Sequence, residues 1–390
     1  MSAGITMRYG CNPHQQSARC YAATGSMPLQ VLNGGASYIN LLDALNAWQL
    51  VRELKQALGL PAAASFKHLS PAGAAVAVPL DDNLAKAYFV SGRSLSPLAA
   101  AYARARGADR LASFGDFIGL SDQVDVSTAE LIKSEMSDGI IAPGYDPEAL
   151  EILKGKKGGA YRVFQIDPDY EPAELETRQI FGLNLEQQRN DFVPDDSFFA
   201  NVVSQNNTLS DSARRDLIVA TIAVKYTQSN SICLALDGQV IGTGAGQQSR
   251  VHCVRLAASK ADLWYLRQHP RVLDIKFKKG TKRADRNNAI DLFLQPEATE
   301  PELAAWRQNF RNPPERLSQD EKEQWLTGLK EVALSSDAFF PFRDNIDRAA
   351  KSGVSYLVQA GGSVQDAQVT AACDEYGMVM VHSGIRLFHH

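Results

Sequence analysis

The chain has 390 residues, of which 45% are hydrophobic and 22% charged, with a formal net charge of −4 and a pI near 6.0. That balance fits a soluble globular protein of roughly two or three domains, with no global basic footprint for nucleic acid; no apolar run reaches the roughly 18–20 residues of a membrane span, and the opening "MSAGITMRYG" lacks a basic-then-apolar leader. The five cysteines (Cys11, Cys20, Cys233, Cys253, Cys373) are odd in number and never spaced C-x-x-C, which argues against a disulfide framework or a structural zinc site and fits a reducing cytoplasm.

In chain order, residues 40–58 carry apolar groups at a helical period, with Asn40 as N-cap and Gly59 followed by Pro61 as the stop. The apolar "AAASF" predicts a buried strand that delivers Lys67 and His68 to its C-terminal end, before a Pro-x-Gly turn at 71–73. A helix is predicted over 97–106, ended by Gly107, then a strand and turn in "LASFGDFIGL", and a helix-then-strand pair in "TAELIKSEM" and "GIIAPG". Residues 145–210 are less regular, and the boundary between a first unit (1–175) and a second (176–390) is placed there. The second unit opens with a helix capped by Ser210 or Asp211 and continues into "SICLALDGQVIGTGAG", where Asp237-Gly238 signals a hairpin. A helix follows from Gln248 to His269, with Cys253 and Cys373 both falling in helical, core-facing patterns. A helical insertion is expected at about 291–330, containing a Ser318/Glu321 capping box. The chain closes with strand, helix and strand at a spacing that permits a right-handed parallel crossover. This alternation predicts an α/β fold in three layers.

Paired cations at a strand end are unusual, because desolvating an ammonium costs several kcal/mol, on the order of whole pKa units. Alone, Lys67 would reach solvent and His68 would bond a carbonyl. "GTGAGQQSR" (242–250) matches neither the dinucleotide nor the P-loop template; it is either a tight strand-to-helix turn or a backbone cradle, and Arg250 at the next helix start tilts it toward an anion site. His14, His68 and His252 each lack a glutamate two residues on, so the zinc-deaminase signature is absent and no metal site is expected. Asn230 in "YTQSNSI" is a turn residue or a ligand group. "SSDAFFPFRDN" is a capped hydrophobic loop or an aromatic wall beside Asp344 suited to a flat heterocycle. His389-His390 reads as a frayed tail, although Arg386 just before it is unexpected in one.

Taken together, "RYGCNPHQ", "SFKHLSPAGAA", "AAYARARGADR", "SFGDF", "SDGIIAPG", "FGLNLEQQRN", "RDLIVATIAVKYTQSNSI", "GQVIGTGAGQQSRVHC", "SSDAFFPFRDN" and "RLFHH", in this order, resemble the transformylase module of the bifunctional purine enzymes that formylate 5-aminoimidazole-4-carboxamide ribonucleotide (AICAR) and cyclise the product to IMP. The resemblance covers residues 7–390 and leaves out the cyclohydrolase module, so it implies a monofunctional transformylase, with a separate protein supplying IMP cyclohydrolase. It further implies two cytidine-deaminase-like units without zinc, a homodimer with shared active sites, and 10-formyltetrahydrofolate as co-substrate. Carried onto this sequence, it implies that Arg8, Tyr9, His68, Gly115, Asp138, Asn230 and Arg386 hold the nucleotide. Arg250, Val251, Phe339, Asp344, Ser363 and Val364 would line the folate side.

The resemblance assigns catalysis to Lys67, His68 and Asn230. The substrate amine is a weak nucleophile, so its attack on a formyl carbon needs a base and a donor for the developing oxyanion. A neutral His68 would be the base, an adjacent ammonium favouring that state; Lys67 would supply positive charge, and Asn230 a hydrogen bond to the same oxygen or to His68. Competing readings are a zinc-dependent deaminase-fold hydrolase, a catalytically silent nucleotide or folate sensor, and transfer from formyl phosphate.

Overall fold

The computed structural model describes residues 4–23 and 25–390. Two short strands, β1 (Ile5–Met7) and β2 (Ala18–Cys20), pair antiparallel beside the main body. Strand β3 (Leu29–Asn33) leads into α1 (Tyr38–Leu58), whose buried Leu41, Ala44, Trp48, Val51 and Leu54 recur at helical spacing. The helix starts earlier than expected: Ser37 is the extended N-cap, and Asn40, a turn inside, is buried and accepts a hydrogen bond from Ser37 Oγ at 2.6 Å. Gly59 closes it in the left-handed region (φ 66°), returning its N–H to the Lys55 carbonyl.

Strands β4 (Ala62–Lys67) and β5 (Ser70–Val76) form a hairpin in which Lys67 faces Ser70. The turn is therefore His68-Leu69, whereas Pro71 and Gly73 lie inside β5. Gly73 serves packing: a Cβ there would stand 2.1 Å from the Ala105 carbonyl oxygen. The first half continues through α2 (Asp82–Ala87), α3 (Pro97–Gly107), β6 (Asp116–Leu120), α4 (Val126–Lys133), β7 (Ser137–Ala142), α5 (Pro147–Lys154) and β8 (Arg162–Ile166). The stretch expected to be irregular holds an antiparallel hairpin, β9 (Leu175–Ile180) and β10 (Leu183–Gln188), exposed along its whole length.

Helix α6 (Asp211–Lys225) is capped by Ser210, whose Oγ accepts the Ala213 N–H. Strands β11 (Ile232–Leu236) and β12 (Gln239–Gly244) turn at Asp237-Gly238 and lead to α7 (Arg250–Leu266). Four short helices follow, α8 (Pro270–Leu273), α9 (Arg283–Leu294), α10 (Glu300–Arg307) and α11 (Gln319–Leu326), so the helical run begins ahead of residue 291. They share a small core around Phe293, Trp306 and Phe310, and the Ser318/Glu321 capping box opens α11. The chain ends with β13 (Val332–Ser336), α12 (Asp344–Ala350), β14 (Val354–Gln359), α13 (Asp366–Glu375) and β15 (Val379–His382), with β14 and β15 parallel.

Among the described residues, eleven strands form one mixed sheet in the order β15-β14-β13-β11-β12-β5-β4-β6-β7-β8-β3. Strands of the two halves meet at β12 and β5, where Gln239 faces Ala75. Helices α1 and α6 cover one face; α3, α4, α5, α7, α12 and α13 cover the other. The fold is thus mixed α/β, with helices on both faces of a central sheet. Arg104 of α3 is buried at the seam, donating to the carbonyls of Val78, Pro79 and Asp237 and to Gln239 Oε1. Cys253 and Cys373 are buried on helices and Cys233 in β11. No helix among the described residues is long and apolar enough to cross a membrane.

Candidate active site

Strand direction brings distant segments to one rim of the sheet. The carboxyl ends of β4, β12, β13, β14 and β15 and the amino ends of β5, β6, β7 and β11 fall on the same side. On that rim lie the Lys67-His68 corner, Gly115, Asp138, Asn230, the 244–250 turn, the loop from Asp337 to Asp344, the Gly361–Val364 loop and the segment that carries Arg386.

Lys67 Nζ donates to the Phe114 carbonyl at 2.5 Å, which sets the ammonium beside Gly115. Gly115 takes φ 75° with open space where a Cβ would point, and its N–H bonds the Met136 carbonyl at 3.0 Å. Beneath this corner Asp116 is fully buried and accepts from Ser65 Oγ at 2.6 Å and from Arg106 at 2.7 Å. Arg106 also reaches the Met136 carbonyl. Asp138, at the start of β7, is half-exposed and accepts from Lys157 at 2.7 Å. His68 is exposed and sits in the left-handed region at φ 53°, as does Leu69 at φ 62°. The Leu69 N–H donates to Asp43 Oδ1 of α1 at 2.8 Å.

Asn230 follows a cis Ser229-Asn230 peptide bond and has both ends of its amide engaged. Its Nδ2 donates to the carbonyls of Gln247 (2.8 Å) and Gln248 (3.2 Å), and its Oδ1 accepts from Arg250 Nη2 at 2.7 Å. Arg250 turns inward: it pairs with buried Asp337 and donates to Ser336 Oγ at 2.9 Å. Gly242 and Gly244 are strand residues that let α7 approach, since a Cβ at either would come within 2.3 Å of a helix carbonyl oxygen. The segment is thus a strand-to-helix turn whose arginine is neutralised from within, rather than a free anion cradle.

The two clusters adjoin. The Gln228 N–H donates to Ser70 Oγ at 3.3 Å, at the foot of the His68 turn. The C-terminal segment is not frayed: Leu387 is buried and bonds the Asp337 carbonyl, while Ser229 and His389 exchange hydrogen bonds of 2.9 and 3.0 Å. Burial holds the His389 ring below the ordinary histidine range. A cleft of about 190 Å³ is lined by Ser229, Asn230, Gly246, Gln247, Gln248, Phe388 and His390. Beside it a space of about 840 Å³ lies between β9–β10 and the body, walled by Lys225, Tyr226, Arg386 and His389 among others. The Arg386 guanidinium stands over the Phe388 ring at 4.7 Å.

The remaining expected residues are less closely joined. Arg8 and Tyr9 follow β1, with Arg8 exposed. Val251 is the second residue of α7. Phe339 is 42% exposed on the loop after β13, and exposed Asp344 opens α12. Ser363 and fully exposed Val364 lie on the neighbouring loop after β14, where Asp366 accepts the N–H groups of Gly362 and Ser363. Sequence reasoning missed half-buried Asp43 and buried Ser65, Arg106, Asp116 and Asp337, the groups that hold the candidate site residues in place. Ser65, Arg106, Asp116 and Asp337 all lie inside the quoted segments "SFKHLSPAGAA", "AAYARARGADR", "SFGDF" and "SSDAFFPFRDN" but were given no role there, and Asp43 lies within the helix expected over 40–58.

Comparison with known proteins gives a consistent picture. A family described as AICARFT/IMPCHase bienzyme matches residues 1–260. Proteins named bifunctional purine biosynthesis protein PurH are 33% identical in Magnetococcus marinus over 98% of this chain, 33% in Roseobacter denitrificans over 99%, and 34% in Cereibacter sphaeroides over 99%. The chain spans 59–60% of the length of these relatives.

Proposed function

The chain belongs to the AICARFT/IMPCHase bienzyme family, and we propose that it performs the formyl transfer of purine biosynthesis as a monofunctional AICAR transformylase. It moves the formyl group of 10-formyltetrahydrofolate to the 5-amino group of AICAR, giving formyl-AICAR and tetrahydrofolate. The observation that carries this reading is the meeting of the Lys67-His68 corner with the Asn230 loop, joined through Ser70 and Gln228.

His68, exposed on its turn, takes the proton of the attacking amine as the new C–N bond forms. Negative charge then gathers on the formyl oxygen, and the Lys67 ammonium is the nearest cation on the corner to offset it. When the carbon–nitrogen bond to the folate breaks, the proton held by His68 is available to the leaving nitrogen. The longer of the two Asn230 bonds, to Gln248, is the one a substrate oxygen would replace.

On the nucleotide side we assign Arg8, Tyr9, Gly115, Asp138 and Arg386. On the folate side we assign Val251, Phe339, Asp344, Ser363 and Val364, with Arg250 acting through Asn230. Two cytidine-deaminase-like units divided near residue 175, a cytoplasmic homodimer with shared sites and a separate cyclohydrolase complete the reading. The dimer is supported by the bare apolar side chains of β9–β10, where Ile180, Leu183 and Leu185 are 48%, 68% and 56% exposed and Phe181 wholly so.

The test is turnover of the purified chain with AICAR and 10-formyltetrahydrofolate, following tetrahydrofolate and analysing the products for IMP. Formyl-AICAR without IMP is expected, and His68→Ala should lower kcat by about 10²–10⁴. Absence of transfer, or a His68→Ala variant with unchanged kcat, overturns the proposal.

A further inference from the structure

Both residues of the β4–β5 turn are non-glycine in the left-handed region. A two-residue hairpin of this shape favours Asn-Gly, because a side chain at positive φ crowds its own backbone. His-Leu therefore does not hold the turn by local preference, and something outside it must. That support comes from α1. The Leu69 N–H donates to Asp43 Oδ1 at 2.8 Å, and the His68 amide faces the same carboxylate. Successive amides of a turn can face a single anion, and the Asp43 carboxylate stands at that place, bonded by the Leu69 amide.

The placement is costly for the carboxylate. Burial pushes its pKa up, opposed by the Leu69 amide and by the His68 ring and amide, while Asp116 adds repulsion. Among the described residues, this half-buried acid has the Leu69 amide of the strained turn as its hydrogen-bond partner.

We infer that Asp43 is a positioning residue which locks the His68-Leu69 turn and so fixes where the His68 imidazole stands on the rim. The inference rests on the proposed role of His68 as base. Asp43 touches neither substrate; its effect passes through backbone geometry, and a small misplacement of a base is enough to cost about 10²-fold in rate.

Three variants test it by steady-state kinetics. Asp43→Ala should lower kcat about 10- to 100-fold with KM for AICAR and the folate nearly unchanged. Asp43→Asn keeps an acceptor oxygen and should recover most of that loss. Leu69→Gly, which relaxes the second turn position, should partly rescue Asp43→Ala in the double variant. An Asp43→Ala enzyme with wild-type kcat, a loss confined to KM, or an Asp43→Asn enzyme as slow as Asp43→Ala overturns the inference. Hydrogen exchange of the Leu69 amide gives a readout independent of turnover: protected in wild type and Asp43→Asn, exposed in Asp43→Ala. Unchanged protection in Asp43→Ala refutes the positioning role even if the wild type proves inactive in formyl transfer, an outcome that would instead remove the proposed function. Should Asp43→Ala not fold, the comparison of wild type, Asp43→Asn and the double variant decides the same question.

Discussion

Arg250 and Asp337 form an ion pair with 7% and 0% of their side chains exposed, and the orientation of Asn230 depends on it. A cation in the first turn of a helix opposes the helix dipole; Asp337 compensates, and its second oxygen accepts the Ser231 N–H at 2.9 Å. With one guanidinium branch held by Asp337, the other reaches Asn230 Oδ1. Asp337→Ala leaves a buried guanidinium without its counter-charge and should destabilise the protein by about 3–5 kcal/mol. Urea denaturation measures this, and a midpoint equal to wild type would mean the pair is not the support described.

A second buried carboxylate, Glu135, is shared by Arg106, Arg110 and Arg283 at 3.1, 2.9 and 2.6 Å. Burial pushes its pKa up, but Arg110, Arg106 and Arg283 outweigh that and hold it down at about 2, against an ordinary value of 4.5. A carboxylate held low stabilises the fold fully above its unfolded pKa and loses that contribution as pH falls through the folded one. Neighbouring Asp116, raised by burial, works in the opposite sense. Glu135→Gln should therefore cost about 3–5 kcal/mol near neutrality, and its deficit relative to wild type should shrink between about pH 4.5 and pH 2. Urea midpoints across that range test it; a deficit that does not change with pH would contradict the assignment.

Gly242 illustrates why the glycine-rich segment misleads. A Cβ there would stand 2.2 Å from the Ala257 carbonyl oxygen of α7, a contact that only displacement of the helix relieves. Gly242→Ala should lower stability by about 1–3 kcal/mol, the general magnitude for overpacking, through a reduced urea midpoint with unchanged slope. An unaltered midpoint would return the segment to a purely ligand-facing role.

Much of the architecture could be read directly from the sequence. The apolar period of α1, the Asp237-Gly238 turn, the Ser318/Glu321 capping box and the closing strand–helix–strand are local signals with local causes. The hairpin at His68-Leu69 had no such signal, because the turn lacks the Asn-Gly pair its shape favours, and Gly73 advertised a turn while serving the contact with α3. The tail was misread for a related reason: Leu387 and His389 are held by Asp337 and Ser229, 50 and 160 residues away. Of the candidate site, the chemistry at Lys67, His68 and Asn230 stood out. The residues fixing it from behind did not, since half-buried Asp43 and buried Asp116 and Glu135 are ordinary acids until packing brings amides and guanidiniums to them.

The seam between β5 and β12 has a consequence for dissection of the chain. Each half leaves at that line a strand whose outer N–H and C=O groups need a partner, and buried Arg104 spends most of its donors on both sides of it. Either half expressed alone would offer a flat apolar ladder to any other extended segment, including another copy of itself. Separation would also leave the Arg104 guanidinium without the acceptors that Asp237 and Gln239 supply. Fragments cut near residue 175 are thus poor reagents for assigning binding to one half, and point substitutions within the intact chain are the sound route.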